Sequence, residues 1–217
     1  MNKKGYLTGL VGVVLLALVA TSTRAALIWI EGESYTKTNM QGNQWPKGND
    51  PRLLSGGDAL AWLSPREKAE LPNYAIWEVS IPEDGKYQFY AREFYKGTGS
   101  QWRYRFVSKT DIAAGKRPGP EEGWTEADPD AAGLDTVGMG ANIAMQWVKY
   151  SAIDLKKGDY VMDLQVIATA GKGSSGDYLV NFDCFVLTTE PFIPRGGTKP
   201  GAKPAGGDAK GGGASYY

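Results

Sequence analysis

The stretch Leu-Val-Asn-Phe-Asp-Cys-Phe-Val-Leu-Thr spans residues 179–188, near the end of the chain. It is short, apolar on both faces and rich in aromatic and branched residues, which is typical of a strand in the middle of a sandwich. Asn181 and Asp183 interrupt it two positions apart, so both point to the same face. A buried carboxylate must be paired or bound to a metal, because an isolated charge in the interior is too costly.

A second group of acids lies at the other end of the chain, in Ile-Glu-Gly-Glu-Ser at residues 30–34. Glu31 and Glu33 are two positions apart, so they share one side of a predicted strand. If the first and last strands pair, these two glutamates converge with Asp183.

The composition excludes several classes of active site. The chain has 217 residues, 24 basic and 24 acidic residues, one cysteine and no histidine. Ser-His-Asp and Cys-His arrangements and any His-ligated zinc or haem are therefore excluded, and a carboxylate pair is the main enzymatic chemistry left. The one cysteine, Cys184, allows no internal disulfide and is expected to be a small buried hydrophobe.

Residues 1–25 are predicted to form a secretory signal peptide. Lys3 and Lys4 precede an apolar run, and cleavage after Ala25 fits the small residues there. An uncleaved membrane anchor and a prepilin leader are the alternatives. Cleavage removes three of the 24 basic residues, leaving 21 against 24 acidic residues, net −3. The mature chain therefore has no charge pattern for nucleic acid and no expected membrane insertion, and secreted, cell-surface or periplasmic locations are expected.

About eight or nine short strands with no long helix predict an all-β sandwich as one domain over residues 26–194. The segments 36–56 and 108–142 are predicted loops, the second a long excursion. Residues 195–217 are rich in Gly, Pro, Ala and Lys, which predicts a disordered tail. This tail is a candidate contact for a cell-surface partner. The predicted strands cover residues 26–33, 59–63, 74–81, 86–94, 101–107, 144–154, 160–168 and 179–188.

The chain resembles carbohydrate-binding modules of the family 6 and family 35 type. The resemblance implies a jelly-roll sandwich of the galactose-binding-like fold. It is carried by Ile-Glu-Gly-Glu-Ser-Tyr at 30–35, by Tyr-Ala-Ile-Trp-Glu-Val-Ser-Ile-Pro at 74–82 with Gly-Lys-Tyr at 85–87 and Arg92, by residues 147–158, and by Asn-Phe-Asp at 181–183.

The resemblance implies a structural calcium ion between the first and last strands, with Glu31, Glu33 and Asp183 as ligands. The ligand chemistry agrees with calcium, because calcium takes six to eight oxygen ligands and the three acids supply oxygen. The chain has no histidine, which zinc would favour. The alternative is that the glutamates are solvated charges at a strand edge.

The resemblance also implies a sugar-binding cleft built from loops at one end of the sandwich. Tyr74 and Trp147 match stacking aromatics, and Asn181 matches a hydrogen-bonding amide. Trp147 can instead match a buried position, which would leave Met145 at the ligand position. Tyr178 and Asp177 are further candidates in the loop before the last strand. For each aromatic, a place in the core is the competing interpretation.

Four other residues have two interpretations each. Trp124 either lines a site or, as we expect, anchors the long excursion. Arg92, Arg103 and Arg105 either pair with nearby acids or, as we expect, are exposed charges on strand faces.

Three functions follow from these patterns. The first is a secreted, non-catalytic protein that binds a polysaccharide or glycan and holds a structural calcium. The alternative is a structural or adhesive cell-surface protein that uses the same sandwich for assembly. A small glycosidase with two carboxylates ranks last, because a fold does not fix a function.

Overall fold

A computed structural model describes residues 26–40, 50–64, 71–94, 100–128, 131–140, 143–170 and 177–202. Its strands are β1 (Leu27–Glu31), β2 (Lys37–Thr38), β3 (Leu60–Ser64), β4 (Asn73–Ile81), β5 (Gly85–Phe94), β6 (Ser100–Ser108), β7 (Thr125–Glu126), β8 (Gly133–Gly140), β9 (Ile143–Leu155), β10 (Gly158–Ala170) and β11 (Tyr178–Thr188). A five-residue helix, α1 (Lys109–Ala113), follows β6. No helix in this part of the chain is long and apolar enough to cross a membrane.

The strands form two antiparallel sheets. The first sheet has the order β1-β11-β5-β9-β8, with β3 also pairing with β11, and the second has the order β2-β4-β10-β6-β7. This confirms the predicted all-β sandwich. The first and last strands pair as expected, with Glu31 opposite Cys184.

The core lies between the sheets because each strand alternates its side chains across the sheet. In β4, Ala75, Trp77, Val79 and Ile81 are buried while the residues between them are not. In β11 both faces are buried, as the apolar stretch 179–188 predicted. Another segment of the chain must therefore shield the outer face of the first sheet from solvent.

That cover includes residues 190–197, which we call the C-terminal strap. The Phe192 ring lies 5.3–6.4 Å, centroid to centroid, from the rings of Trp29, Tyr90 and Trp147 on the outer face. The Trp147 Nε1 donates a hydrogen bond of 2.8 Å to the Gly196 carbonyl.

The predicted disordered tail is therefore wrong at Gly196 and Gly197, which lie against the sandwich, whereas residues 198–202 are exposed. Composition suggested disorder because glycine has no side chain to bury. In the structure, the space at position 197 admits only glycine. A Cβ at Gly197 would lie 2.7 Å from Arg92 Nη1, 2.8 Å from Ser55 N and 2.9 Å from Leu53 O. Residues 203–217 and the predicted signal peptide lie outside the described residues.

Candidate functional site

A cleft opens at the edge of the sandwich, where the first sheet and the second sheet meet. One wall is the turn after β1 together with β2, and the other is the start of β3. Its volume is about 510 Å³, within the usual range for a small-molecule site. The residues lining it are Glu33, Tyr35, Thr36, Lys37, Thr38, Met40, Asp58, Ala59, Leu60 and Ala61.

The cleft combines apolar and polar surfaces. Met40 and Leu60 are buried, whereas Tyr35 keeps 37% of its surface exposed. The hydroxyls of Thr36 and Thr38 donate to the backbone carbonyls of β4, which fixes this wall on the second sheet.

Two carboxylates converge beside the cleft, at Gly56. Gly56 has a φ of +62°, and a Cβ there would overlap Glu33 Oε1 and lie 3.6 Å from Glu31 Cδ. Only glycine accepts both the conformation and the close approach at low cost. The Oε2 atoms of Glu31 and Glu33 are buried without a hydrogen-bond partner.

The surroundings of Glu33 disfavour its charged form. Burial raises the pKa of Glu33 from its ordinary 4.5 to about 7, and the negative charges of Glu31, Asp58 and Asp183 add to the increase. A hydrogen bond to the Glu33 backbone opposes this increase. This is the response of a carboxyl removed from water and placed among other acids.

Asp183 has a different partner from the one predicted. Its Oδ2 accepts a 2.6 Å hydrogen bond from Arg92 Nη1, and both side chains have no exposed surface. Its Oδ1 accepts from the Ser55 backbone N–H at 2.8 Å, and Arg92 Nη1 also donates to Leu53 O at 2.9 Å. Burial raises the pKa of Asp183 to about 6, against the opposing effect of Arg92.

The expected calcium ligand set is therefore not assembled. Among the described residues, no group of three or more His, Cys, Asp or Glu side chains is arranged to hold a metal ion. Both oxygens of Asp183 accept hydrogen bonds, one from the Ser55 backbone N–H and one from Arg92. Glu31 and Glu33 retain buried oxygens that fit a hard cation.

The predicted sugar-binding residues do not line one cleft. Tyr74 lies on the outer face of the second sheet, with Lys37 Nζ 5.8 Å from its ring centroid. Tyr178 is buried and stacks on Trp62 inside the sandwich, with centroids 5.8 Å apart. Asp177 is half-buried and directly precedes β11.

Two other predicted ligands are covered on the outer face of the first sheet. Trp147 is fully buried beneath the C-terminal strap, so the prediction that its ring stacks on a sugar is corrected. Met145, the alternative, is fully buried as well. Asn181 is 1% exposed, and neither its Oδ1 nor its Nδ2 has a hydrogen-bond partner.

The long excursion is anchored on the second sheet by Trp124, as expected. The Trp124 ring lies 4.6 Å from the Arg103 guanidinium and 4.2 Å from that of Arg105. The prediction of exposed charges is wrong for these arginines and for Arg92. Arg103 pairs with Glu121, and Arg105 pairs with Asp163 at 2.9 Å.

Sequence reasoning missed the cleft residues Tyr35, Lys37 and Asp58. Tyr35 stood in the segment that carried the resemblance, and Asp58 follows the Gly-Gly turn before β3. The available signal was the turn at Gly56 and Gly57, which places Asp58 near Glu31 and Glu33.

Comparison with known proteins finds solved structures of low similarity. No family model and no curated protein matches the chain. Among solved structures, the C-terminal module of LamC, a laminarinase of Zobellia galactanivorans, is 13% identical, with a TM-score of 0.39 over 75% of this chain and 99% of that one.

Two further solved structures with low similarity to the chain are family 6 carbohydrate-binding modules. A module of Cellvibrio mixtus lichenase 5A in complex with cellotriose is 10% identical, with a TM-score of 0.31, covering 76% of this chain and 98% of the module. A Clostridium cellulolyticum family 6 module in complex with xylose is 17% identical, with a TM-score of 0.32, covering 74% and 95%.

Proposed function

We propose that the chain is a non-catalytic carbohydrate-binding protein and that sugar occupies the edge cleft. The observation that carries this proposal is the exposed Tyr35 ring in a cleft that also contains the Glu33 and Asp58 carboxylates. Sugar sites need this combination, because an apolar ring covers the C–H face of a pyranose while a few polar groups orient its hydroxyls.

Five of the cleft residues have a role in this proposal. Tyr35 supplies the stacking surface. Asp58 and Glu33 accept hydrogen bonds from sugar hydroxyls. Met40 and Leu60 supply an apolar part of the lining.

The first test is retention of the folded protein, residues 26–217, by a panel of plant and microbial polysaccharides. Retention by one class of glycan supports the proposal. If protein shown to be folded is retained by none of them, the structural or adhesive function becomes the better explanation.

Glu33 gives a specific reason to test for turnover as well. A carboxyl group with a pKa near 7 beside other carboxylates has the character of a general acid. We expect binding without hydrolysis, so reducing ends released from a retained glycan, and lost in Glu33→Gln, would favour the glycosidase.

We also propose a calcium ion held by Glu31 and Glu33, with backbone or water oxygens completing its shell. The support is their two buried carboxylate oxygens without partners. Calcium should raise the Tm of chelator-treated protein, and Glu31→Gln should abolish the increase. Glu78→Gln, at an exposed ion pair with Lys109, is the matched control. No calcium-dependent change in Tm would remove this part of the proposal and leave the sugar cleft standing.

Secretion belongs to the same proposal, with cleavage of the predicted signal after Ala25. N-terminal sequencing of the exported protein tests it. A mature chain that begins at Ala26 supports cleavage there, and a retained N-terminus supports the membrane-anchor alternative.

A further inference from the structure

Three carboxyl groups meet at the edge cleft. Glu33 and Asp58 line it, and the position of Gly56 against both glutamates places the Glu31 carboxyl next to that of Glu33. Asp58 is close enough that its negative charge contributes to the raised pKa of Glu33. This end of the cleft therefore concentrates negative charge.

No basic side chain in the described part of the chain compensates these carboxyl groups. Among the described residues of the lining, only Lys37 is basic, and its Nζ lies 5.8 Å from the centroid of the Tyr74 ring, on the outer face of the second sheet. Arg52, in the segment before β3, pairs with Asp50 instead. The described ion pairs include none of the three acids at the cleft.

Two oxygens of this group also lack hydrogen bonds. Glu31 Oε2 and Glu33 Oε2 are buried and have no hydrogen-bond partner. A carboxylate is stabilised best by a cation that also donates hydrogen bonds, because such bonds are roughly twice as strong as those between neutral groups. The cleft thus presents acceptors and negative charge together, in the same cavity as the exposed ring of Tyr35.

We propose that the edge cleft selects a sugar that carries a free amino group, such as a glucosamine unit, over the same sugar with an N-acetyl or a carboxylate group. This inference rests on the proposed function, because it names the class of glycan that the same cleft binds. The ammonium group supplies a positive charge and three N–H donors, which Glu33 and Asp58 accept. The ring of Tyr35 covers the sugar and attracts the ammonium group through its π face.

The other classes of sugar fit these groups less well. An N-acetyl group is neutral, so it leaves the negative charge of the cleft uncompensated. A uronate brings a further carboxylate to the three acids, and like charges at close range repel. A hydroxyl donates one hydrogen bond to a carboxylate oxygen but does not balance its charge.

The calcium ion proposed at Glu31 and Glu33 would compensate those two carboxylates and leave Asp58 as a negative group of the lining. Calcium should therefore reduce the preference for an amine without abolishing it. Because Asp58 is outside the proposed calcium pair, Asp58→Asn tests the amine without changing the ligands of the ion. Asp58 Oδ1 accepts a 2.8 Å hydrogen bond from the Ala59 backbone N–H, which an asparagine can also accept.

The test is isothermal titration calorimetry with oligomers of glucosamine, N-acetylglucosamine and glucuronic acid of equal length. It is done at slightly acidic pH, where the amine is protonated, in the presence of a chelator. The wild type should bind the glucosamine oligomer at least ~10-fold more tightly than the N-acetylated one, as expected for a hydrogen bond between charged groups. The glucuronic acid oligomer should bind most weakly, and added salt should reduce the differences.

Two variants locate the charge that selects the amine. Asp58→Asn should remove most of the preference for the glucosamine oligomer. Glu78→Gln removes the same charge at an exposed site on the second sheet and should leave the preference unchanged. Equal losses in the two variants would show that net charge alone attracts the amine, and they would overturn the proposal.

Further outcomes separate this inference from the proposed function. If a neutral or acidic oligosaccharide binds as tightly as the glucosamine oligomer, and Tyr35→Ala abolishes that binding, the preference for an amine is wrong and the sugar cleft stands. If folded protein binds none of the glycans, both proposals are wrong.

Discussion

Arg92 Nη1 lies 2.6 Å from Asp183 Oδ2, and neither side chain has any exposed surface. The pair joins β5 to β11 on the outer face of the first sheet, under the loop that contains Leu53 and Ser55. The carboxylate in the stretch that decides the fold is therefore compensated by an arginine of the same sheet.

Removing one partner of this pair should be costly. Arg92→Ala leaves Asp183 buried and unpaired, and we expect a loss of about 3–5 kcal/mol in the free energy of unfolding, measured with urea. Lys109→Ala, which breaks an exposed pair with Glu78, should cost no more than ~1 kcal/mol. A loss for Arg92→Ala as small as that of the control would mean that Asp183 is held by something else.

The C-terminal strap should depend on the missing side chain of Gly197. Gly197→Ala places a Cβ 2.7 Å from Arg92 Nη1, and overpacking of this kind costs about 1–3 kcal/mol. We expect a lower Tm and faster proteolysis after Thr189. Gly138→Ala, where a Cβ meets nothing within 4 Å, is the control. Equal effects of the two substitutions would show that the strap is not seated on Arg92.

The long excursion should detach from the second sheet when Arg105 is removed. Arg105 Nη1 donates to the carbonyls of Gly119 and Glu122 at 2.8 Å, and its Nε donates a hydrogen bond to Asp163 Oδ2. Arg105→Ala should expose residues 109–124 to protease and cost roughly 2–4 kcal/mol. Arg52→Ala, in an exposed local pair with Asp50, should leave the digestion pattern unchanged. Unaltered cleavage in Arg105→Ala would contradict this anchoring.

The strands and their inward faces could be predicted because a period of two is local in sequence. The alternation of Ala75, Trp77, Val79 and Ile81 needed no knowledge of neighbouring strands. The pairing of β1 with β11, on which the predicted convergence of Glu31, Glu33 and Asp183 depended, is present.

The partner of Asp183 could not be read in the same way. It depends on the register between β5 and β11, which shifts between Phe182 and Cys184 and sets Arg92 beside the acid. The burial of Trp147 depends on a Gly-rich segment whose contact is a backbone carbonyl. The cleft lies between β2 of the second sheet and β3 of the first sheet, which are not hydrogen-bonded to each other. No sequence pattern therefore linked Tyr35 to Asp58.

The most direct measurement is isothermal titration calorimetry of the wild type, Tyr35→Ala and Tyr74→Ala with an oligosaccharide of the retained glycan. Tyr35 lines the cleft, and Tyr74 lies on the outer face of the second sheet. We predict that Tyr35→Ala weakens binding by at least about tenfold, ~1.4 kcal/mol, while Tyr74→Ala binds like the wild type. Binding that survives in folded Tyr35→Ala and is lost in Tyr74→Ala would contradict the assignment of the edge cleft.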